Sequence, residues 1–201
     1  MSLKQQPYLC ILVLAFIALS CKSSNDPIEE VKPQEPKIIY DLVNVKYSLS
    51  ADDKVTLVPF PTYSRTMDNR SSIPQSLSIN LSKDYNETSD FTNVDGFDMT
   101  RLERSKVGVP RFNGTQAEVG VLSLPKWTFG EKSELEREVE QTVTVEVPAN
   151  SKVTANLMIN MYKLSANYTA TLKNKLNGEI KTISGKWYGL QSGEAQIEIK
   201  Q

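Results

Sequence analysis

Apolar residues recur at every second position from 138 to 147: Val139, Val143, Val145 and Val147 alternate with Glu138, Glu140, Thr142, Thr144 and Glu146, and Pro148 ends the run. Successive side chains of a strand point to opposite faces, so this order predicts a half-buried strand with valines on one face and carboxylates and hydroxyls on the other. An amphipathic helix does not fit it. Beyond a turn at 148–152, apolar residues return at Val153, Ala155, Leu157, Ile159 and Met161, then change parity to Leu164, Ala166, Tyr168, Ala170 and Leu172. A β-bulge near Tyr162 or Lys163, or a strand leaving one sheet to join another, would swap the faces in this way.

The same period recurs elsewhere. Val43, Val45, Tyr47 and Leu49 predict a first strand within 37–50. Val55, Leu57 and Phe60 before Pro61 predict a short second one, and Ile73, Leu77, Ile79 and Leu81, with Ser76, Ser78, Asn80 and Ser82 between the later ones, predict a third. The one helix candidate, 132–141, carries Glu134, Glu136, Glu138 and Glu140 at a spacing of two. It therefore reads as the solvated face of a strand continuous with 139–147. The fold class expected is all-β, with long, mostly antiparallel strands.

The amino terminus follows different rules. Lys4 precedes a charge-free apolar run from Leu9 to Leu19, about half the roughly 20 residues that a spanning helix needs, and Ser20-Cys21 follows. This reads as a cleaved signal at 1–20, and Ala18 and Ser20 directly before Cys21 resemble a bacterial lipoprotein box in which Cys21 is lipidated. An ordinary signal peptide with an incidental cysteine is the alternative. Cys10 lies inside the signal, so cleavage leaves a single cysteine that cannot form an internal disulfide. Lys22 after the lipidated position favours the outer membrane of a bacterial envelope, and a surface-exposed protein is consistent with the acidic residues that follow. Residues 21–37, with Pro27, Pro33 and Pro36 and Asp26, Glu29, Glu30 and Glu35, have the composition of an extended, disordered tether able to hold a body at 38–201 about 40 Å from a bilayer.

Charge and residue types narrow the chemistry. Removal of 1–20 takes away one lysine and no acid, leaving 22 basic against 24 acidic residues and a net charge of −2. Such a chain lacks the basic stripe that nucleic-acid or anionic-lipid binding needs. The absence of histidine removes the commonest general base and metal ligand, so no enzyme, cofactor or metal site is expected. Gly178, Gly185, Gly189 and Gly193 are spaced for turns between strands and form no phosphate loop. Trp187 and Tyr188 read either as a sugar-stacking platform or as cover for a sheet end.

Four blocks in order carry a resemblance. They are Asp68 to Leu81, with Asn69 and Gln75; Ser89 to Thr92 with Gly96-Phe97; Thr142 to Val153, with Pro148 and Asn150; and Gly185-Lys186-Trp187-Tyr188-Gly189. Together they resemble the aerolysin-like β-pore-forming proteins, in the branch of epsilon toxin and the mosquitocidal toxins. The resemblance implies an elongated fold of long strands in stacked sheets. It also implies monomers that meet a target membrane or surface receptor, gather into a homo-oligomeric ring and each insert an amphipathic hairpin into a shared barrel. A closed barrel is required because an open sheet edge leaves backbone groups unpaired in hydrocarbon.

The resemblance puts the inserting hairpin at 96–130, with Phe97, Met99, Leu102, Val119, Val121, Leu122 and Leu124 as its membrane-facing candidates and Gly108 and Pro110 at its tip. Arg101 and Glu103 interrupt the alternation, and Pro125 removes a ladder donor. The alternative is a hairpin packed on its own sheet, with Leu122, Leu124, Trp127 and Phe129 in the core, in a membrane-anchored binding or adhesion protein that reuses the fold.

Overall fold

The computed structural model describes residues 39–201, so the signal, Cys21 and nearly all of the tether lie outside the described residues. Within them every long element is a strand. They are β1 (Tyr40–Ser48), β2 (Thr56–Val58), β3 (Tyr63–Asn69), β4 (Gln75–Asn93), β5 (Lys106–Val107), β6 (Pro110–Phe112), β7 (Ala117–Leu122), β8 (Trp127–Thr128), β9 (Ser133–Val147), β10 (Ser151–Asn174) and β11 (Ile180–Lys200), plus one 3-10 turn at Met99–Arg101. At a strand rise of about 3.3 Å per residue, β10 alone is about 80 Å long.

All long strands pair antiparallel in one sheet ordered β1, β10, β11, β4, β9, with β2 and β3 also on β10. The ladder of β4 with β9 runs unbroken from Gln75 opposite Val147 to Ser89 opposite Ser133. Strand β4 meets β11 only through Thr88–Asn93. Below that junction the sheet divides, and a β3, β10, β11 layer faces a β4, β9 layer across Met67, Leu81, Val147, Val153, Ala155 and Leu157. Above it, a second core collects Phe91, Leu164, Ala166, Tyr168, Leu172, Ile183 and Trp187 under residues 97–129.

These two cores lie on opposite faces of β10, which explains the parity change. Pairing with β11 is continuous from Met161 opposite Ser192 to Lys173 opposite Ile180, so β10 carries no bulge at Tyr162 or Lys163. The register shift falls between Ile159, opposite Ala195, and Met161, and its extra residue belongs to β11, at Gly193 and Glu194. The faces swap because the covering layer changes sides while β10 runs straight through.

Other expectations are corrected similarly. Strand β3 forms where no strand was expected, and Val43 is displaced at a register shift in β1 instead of joining the inward row. Of the four glycines expected in turns, only Gly178 is in one; Gly185, Gly189 and Gly193 lie inside β11. They make room for aromatic rings: a Cβ on Gly185 would strike the Tyr168 phenol and the Thr92 carbonyl, and one on Gly189 the Trp187 indole. Trp187 is fully buried, its Nε1 donating to Ser89 Oγ at 2.9 Å, so it offers no sugar platform. The Tyr168 hydroxyl donates to the Thr92 carbonyl, and burial, with the charge of Asp95, pushes its phenol up to about 12.

Among the described residues, both cores draw on 40–197. A chain beginning at Lys22 retains every buried contact described.

Candidate membrane-active segment

Residues 94–132 connect the two strands of the longest unbroken ladder in the divided part of the sheet, leaving at Asn93 and returning at Ser133. Short strands organise the segment. Lys106 and Val107 pair with Thr128 and Trp127, and Pro110–Phe112 pair irregularly with Ala117–Leu122. The hairpin tip is at 113–116, where the Asn113 carboxamide oxygen accepts from the Thr115 and Gln116 amides and Gly114 has φ of 99°. Gly108 and Pro110 are not the tip: Pro110 is fully buried, and Gly108 packs closely on Ser123.

Side chains attach the segment to the sheet. Val109, Ala117, Trp127 and Phe129 are buried in the upper core, where the Phe129 ring meets Phe91 at 5.0 Å and Tyr168 at 5.3 Å. Gln191 of β11 clamps β6, its Oε1 accepting from the Phe112 amide at 3.0 Å and its Nε2 donating to the Pro110 carbonyl at 2.7 Å. Glu87 of β4, its side chain 14% exposed, faces Lys126 at 3.6 Å and Arg137 of β9 at 3.2 Å. Backbone pairing contributes little: among the described residues, the segment is tied to the main sheet by the Tyr40 to Leu102 bridge, with Glu103 N–H donating to the Tyr40 carbonyl, and at its start by Val94 N–H donating to the Ser184 carbonyl. The Trp127 indole N–H is buried without an acceptor among the described residues, which costs about 1–3 kcal/mol in the packed position.

The predicted inserting residues fall into two groups. Phe97, Met99, Leu102 and Val119 are partly buried against the upper core, while Val121, Leu122 and Leu124 are exposed, Leu124 to 83%. Trp127 and Phe129 are in the core; Leu122 and Leu124 are not. The remaining resemblance-derived positions cluster at the two ends of the long sheet. Asn69 is buried at the lower end, beside the turn of Pro148 and Asn150, whose φ is 50°, and Gln75 opens β4 there. Gly185, Trp187 and Gly189 support the upper core.

Glu87, Arg137, Lys126 and Gln191 went unnoticed in the sequence. They come from three strands, β4, β9 and β11, and the connection before β8, and the only trace is that Glu87 and Arg137 occupy inward positions of the alternation in β4 and β9.

No family model matches the sequence, and no curated protein matches it. Solved structures do. A lamprey immune protein superposes with a TM-score of 0.57 at 21% identity, over 81% of this chain and 53% of that one. The chain thus spans about half the length of the lamprey protein. Weaker likenesses extend to the Mpp75Aa1.1 β-pore-forming protein of Brevibacillus laterosporus (TM-score 0.41, 12% identity, 80% of this chain and 69% of that one) and to an aerolysin-like protein of Bombina maxima (0.38, 9%, 81% and 97%). The all-β, antiparallel architecture is the aerolysin-like fold.

Proposed function

We propose that this protein permeabilises membranes: monomers assemble on a target membrane, segment 94–132 leaves the sheet, and its extended form prolongs the ladder of β4 and β9 into a shared β-barrel. The observation that carries this reading is the way the segment is held. It bridges the ends of a continuous ladder yet, among the described residues, is tied by its backbone to the main sheet only at Val94 and around the Tyr40 to Leu102 bridge, so it can detach without breaking any long strand pairing. Extension would place Ala117, Val119 and Val121 on one side and Glu118 and Gly120 on the other, the alternation a barrel wall requires. The oligomer is needed because one hairpin cannot satisfy its own edges in lipid.

In this reading Cys21 is acylated, the leader 1–20 is removed, and the tether holds the body at the outer membrane of a bacterial envelope, exposed at the surface. Kinship lies with the branch of epsilon toxin and the mosquitocidal toxins, the action is not enzymatic, and a surface receptor selects the target.

A second reading, an anchored binding or adhesion protein of the same fold, is favoured by the burial of Val109, Pro110, Trp127 and Phe129 in the packed segment. Dye release separates the two. The chain beginning at Lys22 is expected to form detergent-resistant oligomers on vesicles and release their contents, V119D with V121D to abolish release, and the exposed V121D alone to lower release without lowering the melting temperature. A monomer that never causes leakage, with any lipid, leaves only the second reading.

A further inference from the structure

We propose that the folded monomer docks on anionic phospholipid surfaces through an apolar ridge at residues 121–125, before any rearrangement of the covering segment. This deepens the reading above and rests on the protein acting at membranes. Val121, Leu122 and Leu124 are 49%, 40% and 83% exposed within four consecutive residues, although Trp127 and Phe129 just beyond them are buried. Single exposed apolar side chains are ordinary, but a contiguous group marks a contact surface.

The ridge separates two clefts. One, of about 840 Å³, has Arg111 and Lys126 in its wall; the other, of about 550 Å³, has Lys106 and the outwardly displaced Val43, itself 57% exposed. Cations therefore flank the apolar crest on both sides. The first cleft also holds two carboxylates, Glu87, which faces Lys126 and Arg137, and Glu138, which accepts from the Ser82 hydroxyl at 2.5 Å; although the chain as a whole lacks a basic stripe, the cations Arg111, Lys126 and Arg137 outnumber the acids here. Glu118 lies opposite Arg111 in the β6 and β7 register, yet the Arg111 guanidinium forms no ion pair among the described residues. An apolar crest with a basic rim complements a bilayer of anionic phospholipid, whose phosphates meet Arg111 and the lysines while the leucines enter the acyl boundary.

The test uses the chain beginning at Lys22, which has no cysteine of its own, carrying Y40C and L102C so that an oxidised disulfide holds the segment on the sheet. Sedimentation with vesicles of phosphatidylcholine, with and without phosphatidylglycerol, is expected to show binding only to the anionic ones. L122S with L124S should weaken that binding at least tenfold, and R111Q about fivefold with a shallower salt dependence. These side chains are exposed, so the melting temperature should not move. Equal binding by the leucine variant, or no binding to anionic vesicles, overturns the proposal. Dye release by the reduced protein keeps the two readings apart. Ridge variants that bind and leak like the parent remove the ridge and leave pore formation intact, whereas anionic binding that depends on the leucines but brings no release upholds the ridge and removes pore formation.

Discussion

The Asn69 side-chain amide donates to the main-chain carbonyl of Val147 at 2.9 Å, tying the end of β3 to the end of β9 across the lower sandwich. The same nitrogen reaches the carbonyls of Ile73 and Pro148, and its Oδ1 accepts from the Ser71 amide, so one buried side chain fixes both lower turns. Asn69→Ala is expected to cost about 2–3 kcal/mol, because buried acceptors lose their donor. Asn69→Asp should cost more near neutral pH, since a carboxylate would then face three carbonyl oxygens. Urea denaturation of the chain beginning at Lys22 measures both; equal stability of N69A and the parent would show that water replaces the clamp.

The loop between β1 and β2 is pinned to the outer face of the sheet by Asp53, whose side chain is 1% exposed and lies 2.9 Å from Lys186. Burial pushes this carboxyl up, but the Ser165 hydroxyl, the Ser50 amide, the Lys186 ammonium and the Ser50 hydroxyl together pull it well below the usual carboxylate range. A depressed folded-state value means that the contribution to stability is complete above the unfolded value near 4 and fades as pH falls through the folded one. Asp53→Asn should therefore lower the melting temperature at pH 7, and its deficit relative to the parent should shrink steadily below about pH 4. A deficit that stays constant into acid would mean that the charge of Asp53 is not what holds the loop.

The strand architecture was legible because burial on one face of a ribbon leaves a mark at every second residue. That mark is clearest in β9, where Glu134 to Glu140 alternate with inward side chains, and in β10, whose parity change reports the switch of covering layer. Its cause was not legible, since two cores on opposite faces and a bulge in β10 give the same one-dimensional pattern. Strand β3 was missed because only Met67 and Asn69 are buried in it, and the second is polar. Segment 97–129 was legible as an interruption and, in one of two readings, as a hairpin packed on its own sheet with Trp127 and Phe129 in the core, but its internal pairing and attachments were not. Its strands are two to six residues long, too short to show a period, and Glu87, Lys126 and Gln191, which help to hold it, are distant in sequence.

Glu87 supplies the one ionic tie between the segment and the β4, β9 ladder, at least among the described residues, through Lys126. Glu87→Gln preserves the shape but removes the charge that faces Lys126 and Arg137, and should cost about 1–2 kcal/mol, between the values for exposed and buried pairs. Because that loss falls on the attachment of the segment, proteolysis within 97–129 should accelerate more than cleavage of the long strands, and vesicle leakage should begin sooner. Limited proteolysis with mass-spectrometric mapping reads this directly. Cleavage spread evenly along the chain would indicate general destabilisation without release of the segment.

The Tyr40 to Leu102 bridge gives the most direct control over whether the segment moves. The bridge is parallel, and neighbouring strands lie about 4.8 Å apart, inside the range a disulfide spans, so Y40C with L102C should cross-link when oxidised. Tyr40 is buried and packs on Phe97, and both substitutions remove apolar contacts, so the reduced double variant should melt lower than the parent and oxidation should recover part of the loss. If detachment of the segment precedes permeabilisation, the oxidised protein should release no dye, and a reductant added to the same sample should start release. If instead the oxidised and reduced forms permeabilise vesicles equally, the segment stays on the sheet during the activity, and the membrane-crossing strands must come from another part of the chain.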